Sequence, residues 1–371
     1  MADAKTTITQ LLSLADIKID GDRPFDIQVH NQRLYGQILG NPELGLGESY
    51  MDGWWDVEQL DQLAARLFSA NLQSKIRLSP SLIKTIAVST LFNRQTTRRA
   101  KSNASSHYDI GNDLYEHMLD KNMIYSCAYW KSATNLDDAQ EAKLELICQK
   151  LHLKKGMALL DIGCGWGGFA AYAAKRYGVR VTGITPAAEQ VRLARERTKG
   201  LPVTIEQKDY REISGKFDRI VSIGMLEHVG PKNYAVFFER CKEMLKGDGI
   251  MLHHTIGNNR SVNRTAPWMD KYIFPGGVVP SLAQIARSVE KQLVIEDLHN
   301  FGPYYDKTLM AWHENFVKNY PQLKDKYDER FYRMWNFYLL TCAALFRTRN
   351  MQLWQIVMRK IEQSDTYVTA R

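Results

Sequence analysis

The sequence predicts an α/β protein: a doubly wound, mostly parallel sheet preceded by a small N-terminal α+β domain. Three observations carry this reading. From Ala158 onward, strand-like runs alternate with amphipathic helical runs; the stretch Leu159–Gly168 is a glycine-rich strand-to-helix turn; and roughly the first 90 residues mix short signals of both kinds without that alternation.

In the N-terminal part, Phe25–His30 alternates apolar and polar residues like a half-buried strand, and Val57–Phe68 places Leu60, Leu63, Ala64 and Leu67 at helical spacing. The adjacent Trp54 and Trp55 suit a core or a membrane boundary. Ile76–Phe92 has one apolar helical face, and a polar run follows it. The expected division is therefore a domain over 1–92, a linker over 93–106 and a second domain over 107–371. That second domain opens with the aromatic segment Met123–Trp130 and a helix over Leu136–Leu151. Strands follow at Ala158–Ile162, Arg180–Ile184, Val203–Glu206, Phe217–Ile223 and Ile250–Thr255, with helices Phe169–Tyr177, Ala187–Thr198 and Tyr234–Leu245 between them. In such sheets ligands collect at the carboxyl ends of the strands, beside the point where strand order reverses.

With 371 residues and 44 % apolar composition, the chain can bury a full core. No stretch is apolar for long enough to span a bilayer, and the first 20 residues do not read as a secretion signal. Five cysteines without Cys-x-x-Cys spacing argue against a disulfide framework or a zinc ribbon, and reduced thiols fit a cytosol. The net charge of +8 is concentrated between Lys75 and Lys101, which holds seven basic residues and no acid. Such a segment is a solvated linker or a surface for polyanions, either nucleic acid or anionic lipid headgroups.

The glycine turn is informative through its charge. Phosphate loops end in Gly-Lys-Ser/Thr, which is missing here, and Asp161 instead sets a carboxylate beside the turn, where a cationic or hydroxyl-bearing ligand fits better than a polyanion. The form Asp-x-Gly-x-Gly resembles the first motif of class I S-adenosylmethionine (SAM)-dependent methyltransferases, with a nicotinamide site or a purely structural turn as alternatives. After the second strand the ribose-gripping acid of many such enzymes is replaced by Thr185 and Gln190, which can still bond ligand hydroxyls. Asp209 can accept from an adenine amino group, with Tyr210 packed on the ring. Glu227 and His228 end the fourth strand, while His253 and His254 end the fifth and point to opposite faces, so at most one of them enters a site. No third ligand at convincing spacing supports zinc. Cys342 lies in the apolar run Trp335–Phe346 and reads as packing, and Cys164 as a small residue in the turn.

Six motifs in order along the chain make the resemblance specific: Leu-Gly-Glu-Ser-Tyr-Met-Asp-Gly-Trp-Trp near residue 50, Tyr-Ser-Cys-Ala-Tyr-Trp at 125–130, Asp-Ile-Gly-Cys-Gly-Trp-Gly-Gly at 161–168, Glu-His-Val-Gly-Pro-Lys-Asn-Tyr at 227–234, Tyr-Ile-Phe-Pro-Gly-Gly at 272–277 and Leu-Met-Ala-Trp at 309–312. With these the chain resembles the cyclopropane-fatty-acyl-phospholipid synthase family, whose members add a methylene from SAM across a lipid double bond. The resemblance implies a class I SAM-methyltransferase fold, Rossmann-like in its doubly wound sheet. It also implies SAM contacts at Tyr125, Ser126, Leu159, Leu160, Asp161, Ile162, Gly163, Cys164, Gly165, Trp166, Gly167, Thr185, Gln190, Asp209 and Tyr210. A bicarbonate ion held by Cys127, Glu227, His254, Tyr305 and the backbone of Ile256 is implied as well, and Cys342 matches a cysteine sometimes assigned as catalytic. The expected partners are phospholipid acyl chains and an anionic membrane surface, met by a cytoplasmic homodimer docked on the inner face of the cell membrane, with no nucleic acid. The alternatives are a C-methyltransferase that leaves a methyl-branched chain and, from another class, an RNA methyltransferase or RNA-binding module, for which no recognition motif is present.

Overall fold

The carboxyl ends of five parallel strands meet in one place. A computed structural model describes residues 4–70, 72 and 111–371. Its main sheet has seven strands in the order β5-β4-β3-β6-β7-β9-β8, with β3 at Ala158–Ile162, β4 at Arg180–Thr185, β5 at Val203–Gln207, β6 at Phe217–Ile223, β7 at Leu245–Asn258, β8 at Leu293–Asn300 and β9 at Met351–Lys360. β3 to β7 pair in parallel, whereas β9 lies antiparallel between β7 and β8. The chain leaves β3 in one direction, through β4 and β5, and then crosses to β6 on the other side. The order therefore reverses between β3 and β6, which places a ligand crevice above that pair.

Alternation along the strands decides which residues face which layer. Leu160, Ile162, Ile220 and Met251 pack with Phe237, Phe238 and Ile285 of the helices Tyr234–Met244 and Leu282–Val289. Leu159, Val221 and Leu252 pack on the opposite face with Leu144, Ile147 and Phe169 of the helices Leu136–Lys150 and Gly168–Tyr177. The five expected parallel strands and the helices between them agree with the structure to within a few residues, except that β7 is much longer than its expected six residues. The antiparallel β8 and β9 were not anticipated.

In the N-terminal segment, the expected strand Phe25–His30 shrinks to β1, Gln28–Val29, because its partner β2 is only Trp55–Asp56. Much of the surrounding backbone is held by side chains instead: Asp26 accepts from Lys18 N, and Asp20 from Val29 N. Trp55 is fully buried and its indole donates to Leu46 O and Ser49 Oγ, so it is core, whereas Trp54 is half-buried. Ile8, Ile27, Leu34, Trp55, Leu60 and Leu63 belong to the same apolar mass as Trp312, Trp335 and Phe346 of the helices Pro303–Asn319 and Glu329–Arg347. Ion pairs cross the seam as well: Asp52 with Arg330, Asp56 with Arg333, and Asp61 with Arg347. The expected linker 93–106 and the basic segment Lys75–Lys101 lie outside the described residues. Among the described residues no helix is long and apolar enough to cross a membrane.

Candidate functional site

A cavity opens above the β3/β6 crossover, and the turn after β3 forms its floor. Gly163 sits at φ +85°, a conformation that strains any residue with a Cβ, and an added Cβ would also meet the Met225 side chain at 3.0 Å. Gly168 opens the following helix so close to the segment 120–126 that a Cβ there would stand 2.2 Å from the Asn122 carbonyl oxygen. That segment cannot easily retreat, because the Asp120 carboxylate accepts from both Asn122 N and Ile124 N at 2.8 Å. Gly168→Ala is therefore expected to push the 120–126 wall off the cavity and weaken S-adenosylhomocysteine binding about 10–100-fold, the equivalent of an overpacking cost of ~1–3 kcal/mol. Titration calorimetry measures this, and an unchanged affinity would remove 120–126 from the site.

Of the residues expected to touch SAM, Tyr125, Ser126, Asp161, Ile162, Gly163, Cys164, Gly165, Trp166, Thr185, Gln190, Asp209 and Tyr210 all line the cavity. Leu159, Leu160 and Gly167 do not. The two leucines are fully buried core on opposite faces of β3, and Gly167 is the left-handed residue before the helix, packed on Ala194 and Thr198. Thr185 donates its hydroxyl to Gln190 Oε1 at 2.7 Å, so the two act as one unit. Asp209 also has partners within the chain: its carboxylate caps Arg211 N and pairs with the Arg211 guanidinium at 3.1 Å. Cys164 is the small residue expected, with its Sγ 3.1 Å from where a Cβ on Gly183 would stand.

Asp161 is fully buried, and among the described residues its Oδ2 has no hydrogen-bond partner. Burial pushes its carboxyl up to about 7, against the pull of Lys143. Lys143 was not anticipated. It reaches the cavity from the helix Leu136–Lys150 and donates to Ser126 Oγ at 2.9 Å. Gln140, Lys143 and Lys150 interrupt the buried side of this helix, and that polar break in an apolar stripe was the signal available in the sequence.

Of the residues expected to hold bicarbonate, Cys127, Glu227, His254, Ile256 and Tyr305, none lines this cavity. Glu227 follows β6 on the short helix Leu226–Val229; its Oε1 accepts from Ile256 N at 2.7 Å, and its Oε2 is buried with no hydrogen-bond partner among the described residues. Burial raises this carboxyl to about 7. His254 is fully buried, with Nδ1 3.4 Å from Gln355 Nε2 and Nε2 unpartnered, and burial holds it neutral with a pKa well below the usual histidine range. His253 faces the other side of the sheet between Phe237 and Phe238, as strand alternation requires. Cys127 is buried, its thiol donates to Ala128 O, and burial pushes its pKa up, so it is a neutral donor rather than a thiolate. The 127–130 segment is pinned to the helix of Tyr305 by Ala128 N and Trp130 Nε1, both donating to Thr308 Oγ1. Phe301, just before that helix, meets the His254 ring at 5.9 Å.

A cluster of aromatic side chains includes Tyr125 of the cavity wall. Tyr125 and Tyr338 share a hydroxyl hydrogen bond at 2.7 Å, Phe274 packs edge-on to Tyr338, and Tyr305 stacks near Trp312 and Phe346. Cys342, one turn beyond Tyr338, has its thiol raised to about 12 by burial, which suits packing and not a nucleophile. Among the described residues no cluster of three or more His, Cys, Asp or Glu is arranged to hold a metal ion.

A 3-2-1-4-5-7-6 type sheet, with its last strand inserted antiparallel and a cavity over the glycine turn, defines the class I SAM-dependent methyltransferases. Within that class the chain belongs to the family described as mycolic acid cyclopropane synthetase, whose model matches residues 95–356. It is 51 % identical over 351 residues to the cyclopropane-fatty-acyl-phospholipid synthase of Escherichia coli strain K12, covering 95 % of this chain and 92 % of that one. A probable fatty acid methyltransferase of Pseudomonas putida is 34 % identical, over 90 % of this chain and 86 % of its own. Among solved structures, the cyclopropane synthase MmaA2 from Mycobacterium tuberculosis aligns with a TM-score of 0.67 at 29 % identity, over 70 % of this chain and 98 % of that one. The mycolic acid cyclopropane synthase CmaA1, solved with S-adenosylhomocysteine and CTAB, aligns with a TM-score of 0.65 at 30 % identity, with the same coverage.

Proposed function

We propose that the protein transfers a methylene group from SAM to the cis double bond of an unsaturated phospholipid acyl chain, giving a cyclopropane and S-adenosylhomocysteine. The observation that carries this reading is Glu227, a desolvated carboxylate whose Oε1 is held by the N–H of Ile256, two residues beyond the buried, neutral His254 on β7. Similarity to the Escherichia coli synthase along 95 % of the chain supports it.

An isolated alkene is a poor nucleophile, so the sulfonium methyl must be held in line with it, which can supply up to roughly 7–11 kcal/mol. A carbon–carbon bond forms as the carbon–sulfur bond breaks, and the other alkene carbon becomes cationic. Faces of Trp268, Phe274, Tyr305 and Tyr338 stabilise that charge by about 0.5–2 kcal/mol each and keep water from trapping it. A proton then leaves the new methyl group as the ring closes. Glu227 Oε2 and His254 Nε2, both buried and without a hydrogen-bond partner among the described residues, would suit a small hydrogen-bonding ion such as bicarbonate, to which the family resemblance adds Cys127 and Tyr305. Bicarbonate held there would supply a removable base, one whose adduct with the cation would be a labile carbonate ester rather than a lasting protein ester. Glu227 takes up the proton, and the Ile256 N–H holds its other oxygen in place.

The substrate lies in a bilayer, and we assign membrane docking to the basic segment Lys75–Lys101, with two copies of the chain acting as a peripheral homodimer on the cytoplasmic face. The test is incubation with SAM and vesicles of unsaturated phospholipid. Mass spectrometry should find lipid heavier by one CH₂ and NMR should find no residual olefin at that site; a methyl-branched or methylene-bearing chain would move the assignment to a C-methyltransferase. Co-sedimentation should rise with anionic lipid and fall with salt, and binding indifferent to both would refute docking by charge.

A further inference from the structure

Lys143 is fully buried in the cavity wall, and among the described residues its ammonium makes a single hydrogen bond, to Ser126 Oγ at 2.9 Å. Two of its three donors are therefore unused, a costly state for a desolvated cation unless an anion completes it. Burial lowers its pKa to about 8, while Asp120, Cys127 and Asp161 act on it through space. Asp120 spends both oxygens on backbone N–H groups of the 120–126 segment. Ser126 is fixed twice by the same helix: Gln140 donates to its carbonyl at 2.8 Å, and Lys143 donates to its hydroxyl oxygen. The serine's own hydroxyl proton is then free to donate into the cavity that Ser126 lines. The same wall carries Asp161, whose orphaned oxygen disfavours a phosphate and favours an ammonium. A ligand that satisfies a buried cation and a buried carboxylate together carries one negative and one positive group close to each other, as an α-amino acid does.

We propose that Lys143, acting with Ser126, is the carboxylate-recognising residue for the amino-acid end of SAM, and so selects the intact cofactor over forms that lack the carboxylate. This rests on the SAM reading of the cavity. Lys143 supplies the charge, Ser126 presents a donor at the surface, and Asp161 across the turn takes the ammonium.

The test is calorimetric binding of three probes, S-adenosylhomocysteine, its decarboxylated analogue and 5′-methylthioadenosine, to the wild-type chain and to Lys143→Met. The variant should bind S-adenosylhomocysteine about 10–100-fold more weakly, as expected for loss of a charge-assisted contact. Its affinity for the other two probes should stay within about twofold, which also shows that the cavity is intact. Ser126→Ala, which leaves the lysine in place, should show a smaller loss with the same selectivity and serves if the lysine variant does not fold. An equal loss for all three probes, or no loss for any, would overturn the assignment of Lys143. Failure of the wild-type chain to bind S-adenosylhomocysteine at all would overturn the SAM reading itself.

Discussion

Glu227→Gln is expected to lower turnover about 10²–10⁴-fold, the usual worth of a positioned acid–base group, while leaving S-adenosylhomocysteine affinity near that of the wild type. The second half follows from geometry, since Glu227 is not among the residues that line the cofactor cavity. Glutamine keeps an oxygen for the Ile256 N–H, so the backbone has no reason to move. The same substitution should stabilise the fold. Burial raises the carboxyl from 4.5 to about 7, so between those values the unfolded chain releases a proton that the folded chain retains. Stability is thus lost as pH rises from about 4.5 to about 7 and stays lowered above that. Glu227→Gln removes the penalty, and at pH 8 it should unfold ~1–3 kcal/mol later than the wild type, an advantage that vanishes near pH 4.5. Denaturant unfolding at the two pH values, run beside a turnover assay, checks both halves. Near-normal turnover would remove Glu227 from the chemistry.

Trp335→Ala should have the largest effect on stability, a loss of about 3–5 kcal/mol. The side chain is fully buried; its indole donates to the Met118 sulfur at 3.2 Å, and its ring stacks on Phe331 at 5.6 Å and meets Tyr338 edge-on at 5.2 Å. A void there loosens Tyr338, and through its shared hydroxyl bond Tyr125, which lines the cavity. Cofactor affinity should fall along with the unfolding midpoint. A variant with wild-type stability would mean that the surrounding helices collapse into the gap. Since domains commonly hold only ~5–15 kcal/mol of net stability, a loss of this size is a large share of the whole.

The sheet was legible in the sequence because each parallel strand is a short apolar run closed by a turn signal, and the strand ends named most of the residues that meet in the cavity. Asp161, Thr185 and Asp209 were readable for that reason. Their final bonding was not, since Asp209 is claimed by Arg211, only two residues away, and Thr185 by Gln190. Lys143 was harder to read, because a lysine in a helix ordinarily reads as solvated and the polar break it makes in the buried stripe gains its meaning only once the helix packs on the sheet. β9 escaped notice for a different reason. It is buried on both faces over nearly its whole length, and its alternation is therefore lost. The N-terminal segment read as a separate unit because its local signals differ, although its apolar residues enter a core they share with helices some 250 residues further on.

The insertion of β9 between β7 and β8 sets an order on assembly. During synthesis β7 emerges about 100 residues before its neighbour Met351–Lys360, so until then its outer edge has no hydrogen-bonding partner in the finished sheet. Gln355, the side chain that faces His254 Nδ1, arrives with that strand. His254 therefore gains its Gln355 contact only once the last strand of the sheet has been made and has inserted beside β7.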